Sequence, residues 1–457
     1  MAWMRKALRH GPVVTSGQAA ITTSALMPDS NMASTEASSA ASAAAAELFH
    51  SLDFVLDQFG DEEEPGDQLQ YHLERLSEEA EKYPSSSLNY SQGEEWPCSP
   101  GMGELLKAVC QCAVMVYDQT QVIGPKGFDI EPVLHRTPST LGTVKASSMW
   151  KLPFVPIPGW NGKTLVVSVR GTSTIADHMV NMNDKPKDVG GLFKVSERGQ
   201  HVKVEAHSGF LACALAIIST IAEDINQQLA ADDSISNIIF TGHSAGGAVA
   251  SLIFLHFALQ ENPTPQIART KLSLITFGSA PTTTSPIPLP SLRPSRPNIG
   301  LTLAIVNEYD MIPRADRPYI RSIVDLYRTS HGLPALHTPE TTRDSDAWPL
   351  PPPQYHLVGD IVVLRLRLSG GSSSAPVDDS LSQASTLTAP MVEAVRVAPG
   401  LFGKLLFCDL ATHRRRAYLE RMDILAAQAG EMQSGGVGGK LPGWVVDFYG
   451  GGKGDSE

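Results

Sequence analysis

Cysteine is scarce in this sequence of 457 residues, and basic residues are fewer than acidic ones. The five cysteines are odd in number and scattered, and no two form a C-x-x-C pair, which argues against a disulfide framework and against a zinc site. Buried thiols in a reducing compartment are the interpretation that we favour. The formal net charge of −12 and the pI near 5.6 argue against nucleic acid as a partner, because phosphate binding needs basic stripes. We therefore expect an intracellular, cytoplasmic protein without a nucleic-acid partner.

The N-terminus also lacks the continuous apolar block that a secretory signal needs. The first 28 residues contain Arg5, Lys6 and Arg9, no acid and many Ser, Thr and Ala, as organelle transit peptides do. However, Gly11 and Pro12 would end an amphipathic helix after about two turns. We favour a disordered leader, with organelle targeting by the basic N-terminus as the alternative.

Composition divides the chain into four parts. We expect a disordered leader and Ala/Ser linker (1–46), a helical N-terminal extension (47–96), a main domain (97–430) and a Gly-rich tail (431–457). Within the main domain, residues 282–297 are rich in Pro and Ser, and residues 369–388 are rich in Gly and Ser. Both inserts are typical of surface excursions.

Apolar strand-like and helix-like segments alternate along the main domain. The predicted strands are residues 164–169, 238–240, 272–277, 301–306 and 361–366, and the predicted helices are residues 105–117, 211–229, 248–259 and 319–328. This alternation predicts an α/β fold with a mostly parallel sheet and helices on both faces.

A G-x-S-x-G pattern lies between a predicted strand and a predicted helix, at Gly242, Ser244 and Gly246. A serine in a strand–turn–helix with glycine two places before and after it is a nucleophile elbow, in which strand and helix backbones come too close for side chains. A structural Gly-rich turn is one alternative. A membrane-spanning helix over residues 238–259 is another, which the glycines and the polar first half disfavour.

A serine nucleophile needs a base and a carboxylate, which in this fold follow it in the order acid, then histidine. Asp310 is the predicted acid because it comes four residues after an apolar strand, and His413 is the predicted base because it follows the last predicted strand. The competing acids are Glu308, Asp316 and Asp325, and the competing histidines are His331, His337 and His356.

An oxyanion hole needs two N–H donors. Ala245, directly after the nucleophile, and Thr172, in the turn after the strand at 164–169, are the predicted donors. His207 and Arg170 are also candidates for residues that line the substrate pocket. We favour the interpretation that both are buried polar residues that brace the sheet and helix.

Seven motifs in order resemble the class 3 (fungal triacylglycerol lipase-like) α/β-hydrolases. They are VVSVRGTST (166–174), AHSGF (206–210), FTGHSAGG (240–247), LITFGSAP (274–281), NEYDMIPR (307–314), YHLVGD (355–360) and ATHRRRAY (411–418). The resemblance implies Ser244 as nucleophile, Asp310 as acid and His413 as base, with Thr172 and Ala245 in the oxyanion hole and no metal or cofactor. His178 stands where the lid of the family often has an aromatic residue. Because it lacks the disulfides and signal sequence of the secreted members, the chain resembles the intracellular, diacylglycerol-lipase-like branch of the family.

The resulting hypothesis is a serine hydrolase that cleaves carboxylic esters of lipids, acylglycerols above all, through an acyl-enzyme on Ser244. Its expected partners are a lipid ester substrate and the surface of a membrane or lipid droplet. The alternatives are a catalytically silent lipase-fold scaffold and an acyltransferase, since a fold alone does not determine function.

Overall fold

The structure is a computed structural model. It describes residues 67–89, 91–117, 131–136, 147–153, 157, 159–171, 185–197, 200–289, 296–337, 347–368 and 390–434. The predicted leader and linker, residues 47–66 of the predicted N-terminal extension, the insert at 369–388 and the tail beyond residue 434 lie outside these residues. The predicted division into domains stays a prediction.

Thirteen strands and eight α-helices occur in these described ranges. The strands are β1 (Glu94–Glu95), β2 (Glu131–Arg136), β3 (Ser147–Leu152), β4 (Lys163–Val169), β5 (Pro186–Asp188), β6 (Val195–Glu197), β7 (Gln200–Val202), β8 (Glu205–His207), β9 (Ile235–His243), β10 (Lys271–Phe277), β11 (Ile299–Asn307), β12 (Asp360–Leu368) and β13 (Pro390–Val397). The helices are α1 (Asp67–Ala80), α2 (Pro100–Met115), α3 (Ser208–Ala231), α4 (Ala245–Ala258), α5 (Pro265–Arg269), α6 (Arg317–Ser330), α7 (Pro399–Phe402) and α8 (Arg415–Ser434).

One nine-stranded sheet organises the molecule, in the order β1-β13-β12-β11-β10-β9-β4-β3-β2. The five central strands from β12 to β4 are parallel to their neighbours, and the pairs at both edges are antiparallel. The predicted α/β-hydrolase class, with a mostly parallel sheet, is confirmed. The antiparallel edges were not predicted, because strands such as β13 contain partly exposed charged residues, Glu393 and Arg396, instead of forming an apolar run.

Both faces of the sheet are covered, because neighbouring side chains of a strand point to opposite faces. In β9, Ile238 and Phe240 belong to a core shared with α3 and α4. Ile239 belongs to a second core shared with α2 and α8. The central strands are therefore buried on both faces and contain near-continuous apolar runs, which is the pattern that made them recognisable in the sequence.

Helix α3 is long and apolar enough by composition to cross a membrane, and 56% of its most apolar window is buried. Phe210, Ile217 and Ile221 of this helix pack in the core with α4. A mostly buried core helix passes the same test of length and composition. The packing therefore explains the hydropathy of α3.

Candidate active site

Ser244 lies in the tight turn between β9 and α4, with φ 58° and ψ −132°. A non-glycine residue with positive φ is strained, and such strain occurs where the nucleophile elbow presents its serine. A Cβ added to Gly242 would lie 2.5 Å from the carbonyl carbon of Gly246. A Cβ on Gly246 would collide with the backbone oxygen of Val169 and lie 2.7 Å from the backbone nitrogen of Gly171. Both glycines of the pattern are therefore required by the close approach of β9, α4 and the end of β4.

Asp310 and His413 meet although they are 103 residues apart in the chain. The Asp310 Oδ2 atom lies 2.9 Å from His413 Nδ1, and both side chains are fully buried. Asp310 Oδ1 accepts a hydrogen bond of 2.9 Å from the backbone N–H of Ile312, which fixes the carboxylate. When His413 donates from Nδ1, the neutral ring carries its lone pair on Nε2, which is the atom that a general base needs.

Tyr418 is a third member of this buried network that the sequence analysis missed. Its hydroxyl donates to Asp310 Oδ2 at 2.7 Å and accepts from the backbone N–H of Asn307 at 3.0 Å. Burial, together with the charge of Asp310, raises the pKa of Tyr418 well above its usual value, so the hydroxyl keeps its proton. Tyr418 therefore positions the carboxylate that orients His413.

Replacing Tyr418 with phenylalanine should lower kcat about tenfold and leave KM nearly unchanged, because a hydrogen bond to a charged group is lost. Tyr319→Phe is the matched control, since that buried hydroxyl donates to the backbone oxygen of Phe407. Steady-state kinetics of both variants check this expectation. An equal loss of kcat in the control would show a general effect of destabilisation.

His413 contacts His243, the residue before Ser244. The rings of His243 and His413 lie 4.6 Å apart, and His243 Nε2 lies 2.8 Å from the backbone oxygen of His413, which assigns the proton of His243 to Nε2. The backbone N–H of Ser244 donates to the oxygen of Phe277 at 3.1 Å. A Cβ on Gly278 would lie 3.0 Å from His413 Nδ1. The ends of β9 and β10 thus enclose the buried imidazole.

The pKa of His243 lies well below its usual value, first because of burial and then because of His413. The unfolded chain binds a proton at this residue below about pH 6.5, whereas the folded chain does not. The free energy of unfolding should therefore fall as the pH falls below this range, by up to about 1.4 kcal/mol per pH unit from this residue. Urea unfolding of the wild type and His243→Gln between pH 7.5 and 5 checks this. Identical pH slopes in the two proteins would contradict the assignment.

One predicted oxyanion donor can be placed, and the other lies outside the described residues. Ala245 is the first residue of α4 and is 3% exposed, so its backbone N–H lies directly beside the nucleophile at a helix N-terminus. Thr172 belongs to residues 172–184, which are not described, and so does His178 of the expected lid.

Tyr117 holds the chain immediately before Thr172. Its hydroxyl accepts a hydrogen bond of 2.9 Å from the backbone N–H of Gly171 and donates to the oxygen of His243 at 3.3 Å. The guanidinium of Arg415 lies 4.3 Å from the centre of the Tyr117 ring. The turn after β4 is therefore tied to the nucleophile elbow by one side chain from the end of α2.

Glu308, the nearest competitor of Asp310, is engaged elsewhere. It is fully buried and accepts a hydrogen bond of 3.0 Å from the backbone N–H of Leu88. Its other oxygen lies 3.1 Å from Arg367. This carboxylate anchors the N-terminal segment to β12, and Asp310 is the acid that faces His413.

The two other competing acids hold loops and helix ends. Asp316 caps α6 through the backbone N–H of Tyr319 and also accepts from the backbone N–H of Gln354. Asp325 accepts from the backbone N–H groups of Leu336 and His337. Both acids satisfy backbone donors that would otherwise be buried without partners.

The competing histidines lie apart from the Asp310 carboxylate. His331 Nδ1 lies 2.9 Å from the backbone oxygen of Tyr327, and His337 lies 3.6 Å from Asp325. The backbone of His356 pairs with Thr283 in an isolated bridge. Of the four candidate histidines, His413 is therefore the one that contacts Asp310.

His207 and Arg170 are both buried. His207 Nδ1 accepts from the backbone N–H of Phe210 at 3.4 Å, and the two rings stack with 4.2 Å between their centres. His207 is thus the N-terminal cap of α3, in agreement with the bracing role that we favoured. Within the part of the chain that the structure describes, no group of three His, Cys, Asp or Glu side chains could hold a metal ion.

Comparisons with known proteins agree with this site. Residues 166–319 match the family model of the class 3 lipases. The matched segment contains the nucleophile elbow and Asp310, and it ends before His413. No curated protein matches the sequence.

Several fungal lipases are among the similar solved structures. A Rhizomucor miehei lipase in complex with its propeptide has 19% identity and a TM-score of 0.35, over 51% of this chain and 70% of that one. Lip2 of Yarrowia lipolytica has 13% identity and a TM-score of 0.37, over 49% and 76%. A triacylglycerol lipase of Penicillium expansum has 15% identity and a TM-score of 0.37, over 59% and 81%. At these values the likeness carries no argument about function.

The parallel sheet, the strained serine between β9 and α4 and the buried Asp–His pair define a serine hydrolase with the α/β-hydrolase fold. The family match makes the assignment more specific: residues 166–319 match the class 3 lipases, in agreement with the family resemblance found in the sequence. The protein is a carboxylic ester hydrolase, and its substrates are lipid esters.

Proposed function

We propose that this protein hydrolyses acylglycerols through an acyl-enzyme on Ser244, with His413 as the base and Asp310 as the residue that orients it. The observation that carries this proposal is the buried contact of 2.9 Å between Asp310 and His413, whose ring lies 4.6 Å from that of His243, the residue before the strained Ser244. The diacylglycerol-lipase-like branch is the group within the family that we favour.

The proposed reaction has two steps. His413 takes the proton of the Ser244 hydroxyl as its oxygen attacks the acyl carbon, and the backbone N–H groups of Ala245 and Thr172 stabilise the oxyanion. Collapse of the tetrahedral intermediate breaks the ester bond, and His413 gives the proton to the leaving alcohol. Water, deprotonated by His413, then releases the fatty acid and restores Ser244.

Hydrolysis of mono-, di- and triacylglycerols, phospholipids and short soluble esters by the purified protein tests the proposal. We expect acylglycerols to give the highest kcat/KM and free fatty acid to be the product. Acyl transfer to an added alcohol in preference to water would indicate an acyltransferase. No turnover of any ester, together with no labelling by a fluorophosphonate, would indicate a silent scaffold.

We further propose that the protein works in the cytoplasm, at the surface of a membrane or lipid droplet. Support for a reducing compartment comes from the cysteines, of which Cys110, Cys112, Cys213 and Cys408 are buried. Burial raises the pKa of Cys408 to about 12, so it stays a thiol. Support for surface contact comes from the substrate class, since acylglycerols form separate apolar phases. Cell fractionation tests the cytoplasmic location, and flotation with lipid droplets tests the contact with a lipid surface.

A further inference from the structure

A cavity of about 880 Å³ has none of Ser244, Asp310 and His413 in its wall. Its wall comes from four residues of the N-terminal segment, the proline-rich loop at 347–356, residues 399–405 around α7, and Pro286; the four are Pro84, Ser85, Asn89 and Gln92. Only Pro286 belongs to the segment that matches the family model. The cavity is therefore built largely from parts of the chain that the family match does not cover.

The wall of the cavity is mainly apolar. Six prolines line it together with Trp348, Leu350, Leu401 and Leu405, and the prolines are Pro84, Pro286, Pro351, Pro352, Pro353 and Pro399. Small-molecule sites are typically concave, about 300–1,000 Å³ in volume, and apolar with a few polar groups. The cavity has this size and chemistry.

Lys404 supplies the positive charge of this wall. It is exposed, and no carboxylate in the described ranges lies within ion-pair distance of it. His356 is the other basic residue of the wall, and burial, with the nearby charge of Arg314, lowers its pKa, so it is neutral at pH 7. A ligand with one negative charge and a long apolar part complements this arrangement.

The N-terminal part of the wall is held in place by buried hydrogen bonds. The backbone N–H of Leu406 donates to the oxygen of Ser85 at 2.8 Å. Arg365 donates to the backbone oxygen of Leu88 at 3.2 Å. The backbone N–H of Leu88 donates to Glu308 at 3.0 Å. The cavity is therefore preformed, which lowers the cost of ordering on binding.

We propose that this cavity binds a long-chain fatty acid, with the acyl chain against the prolines, leucines and Trp348 and the carboxylate on Lys404. The choice of ligand rests on the proposed function, since a lipid ester hydrolase releases fatty acid. The cavity and its chemistry do not rest on that function. The site would let the protein hold its own product away from the catalytic serine.

Quenching of Trp348 by a brominated C18 fatty acid tests the proposal in full-length Ser244→Ala protein, which separates binding from hydrolysis. We expect saturable quenching that Trp348→Phe removes, because Trp348 is the only tryptophan among the described residues that lines this cavity. Lys404→Glu should raise the Kd about tenfold or more, and the C18 alcohol should compete about tenfold less well than the C18 acid.

Lys194→Glu is the matched control, since it makes the same charge change at an exposed lysine outside the cavity. Its Kd should equal that of Ser244→Ala alone. Absence of quenching, quenching that persists in Trp348→Phe, or a Kd that Lys404→Glu does not change would each overturn the site. Acylglycerol hydrolysis by the wild type is measured separately, so a failure of the proposed function is distinguished from a failure of this cavity.

Discussion

Replacing Ser244 with alanine is expected to lower kcat for acylglycerol hydrolysis by about 10⁶-fold, because the nucleophile of the covalent step is removed. The free energy of unfolding should change little, since Ser244 makes no side-chain cap to α4 and alanine removes one small oxygen. Steady-state hydrolysis, labelling by a fluorophosphonate and urea unfolding measure these three quantities. Comparable turnover or labelling in the variant would mean that another residue is the nucleophile.

Ser251→Ala is the control for this experiment. Ser251 is a buried serine of the same helix whose hydroxyl donates to the backbone oxygen of Gly247 at 2.8 Å. Its replacement should leave both turnover and labelling near the wild-type values.

A third variant, Ser244→Gly, should be as inactive as the alanine variant. It should be more stable than that variant by up to about 1–3 kcal/mol, because glycine adopts a φ of 58° without strain.

Asp310→Asn is expected to lower kcat by about 10⁴-fold with the fold preserved. The amide has the shape of the carboxylate but does not hold a proton on His413 Nδ1 or stabilise the imidazolium that forms during attack. The remaining activity should come from the oxyanion hole and substrate binding. Hydrolysis rates at several pH values, with circular dichroism as the check of folding, measure this. A near-normal rate would assign the acid to Glu308.

Glu308→Gln tests that competitor directly. Its kcat should stay within a few fold of the wild type, since Glu308 contacts Leu88 and Arg367 and not His413. Its stability should fall by about 1–3 kcal/mol, because the buried carboxylate loses its charge beside Arg367 and beside the backbone N–H of Leu88. The pair of variants thus separates loss of catalysis from loss of stability at positions two residues apart.

Much of the fold was recognisable because the central strands are buried on both faces. The apolar runs predicted at 272–277 and 301–306 correspond to β10 and β11, which extend by one to three residues in the structure. The antiparallel strands β2, β3 and β13 were missed, because charged residues such as Lys151 in β3 and Glu393 in β13 interrupt their apolar patterns. Helix α2 begins at Pro100, five residues before the predicted start, since Ser99 caps it and proline is favoured at the first helical position.

The positioning residues of the site gave no comparable signal in the sequence. Tyr418 lies five residues after His413, but its role in positioning Asp310 arises only because α8 brings its hydroxyl to that carboxylate. Tyr117 ends an apolar helical run that looks like ordinary core, and only the position of α2 brings it to Gly171. His243 lies inside the G-x-S-x-G pattern at the variable position, where any residue satisfies the pattern.

The amino-acid sequence by itself determined the chemistry of the elbow and the alternation of strands and helices, because glycine spacing and apolar runs act over a few neighbouring residues. Only the tertiary structure decided which carboxylate and which imidazole meet, since Asp310 and His413 are joined by the order of β11, β12 and β13 in the sheet and not by any local pattern. The same packing turned Glu308 toward Leu88 and Arg367, where burial makes it an anchor for the N-terminal segment.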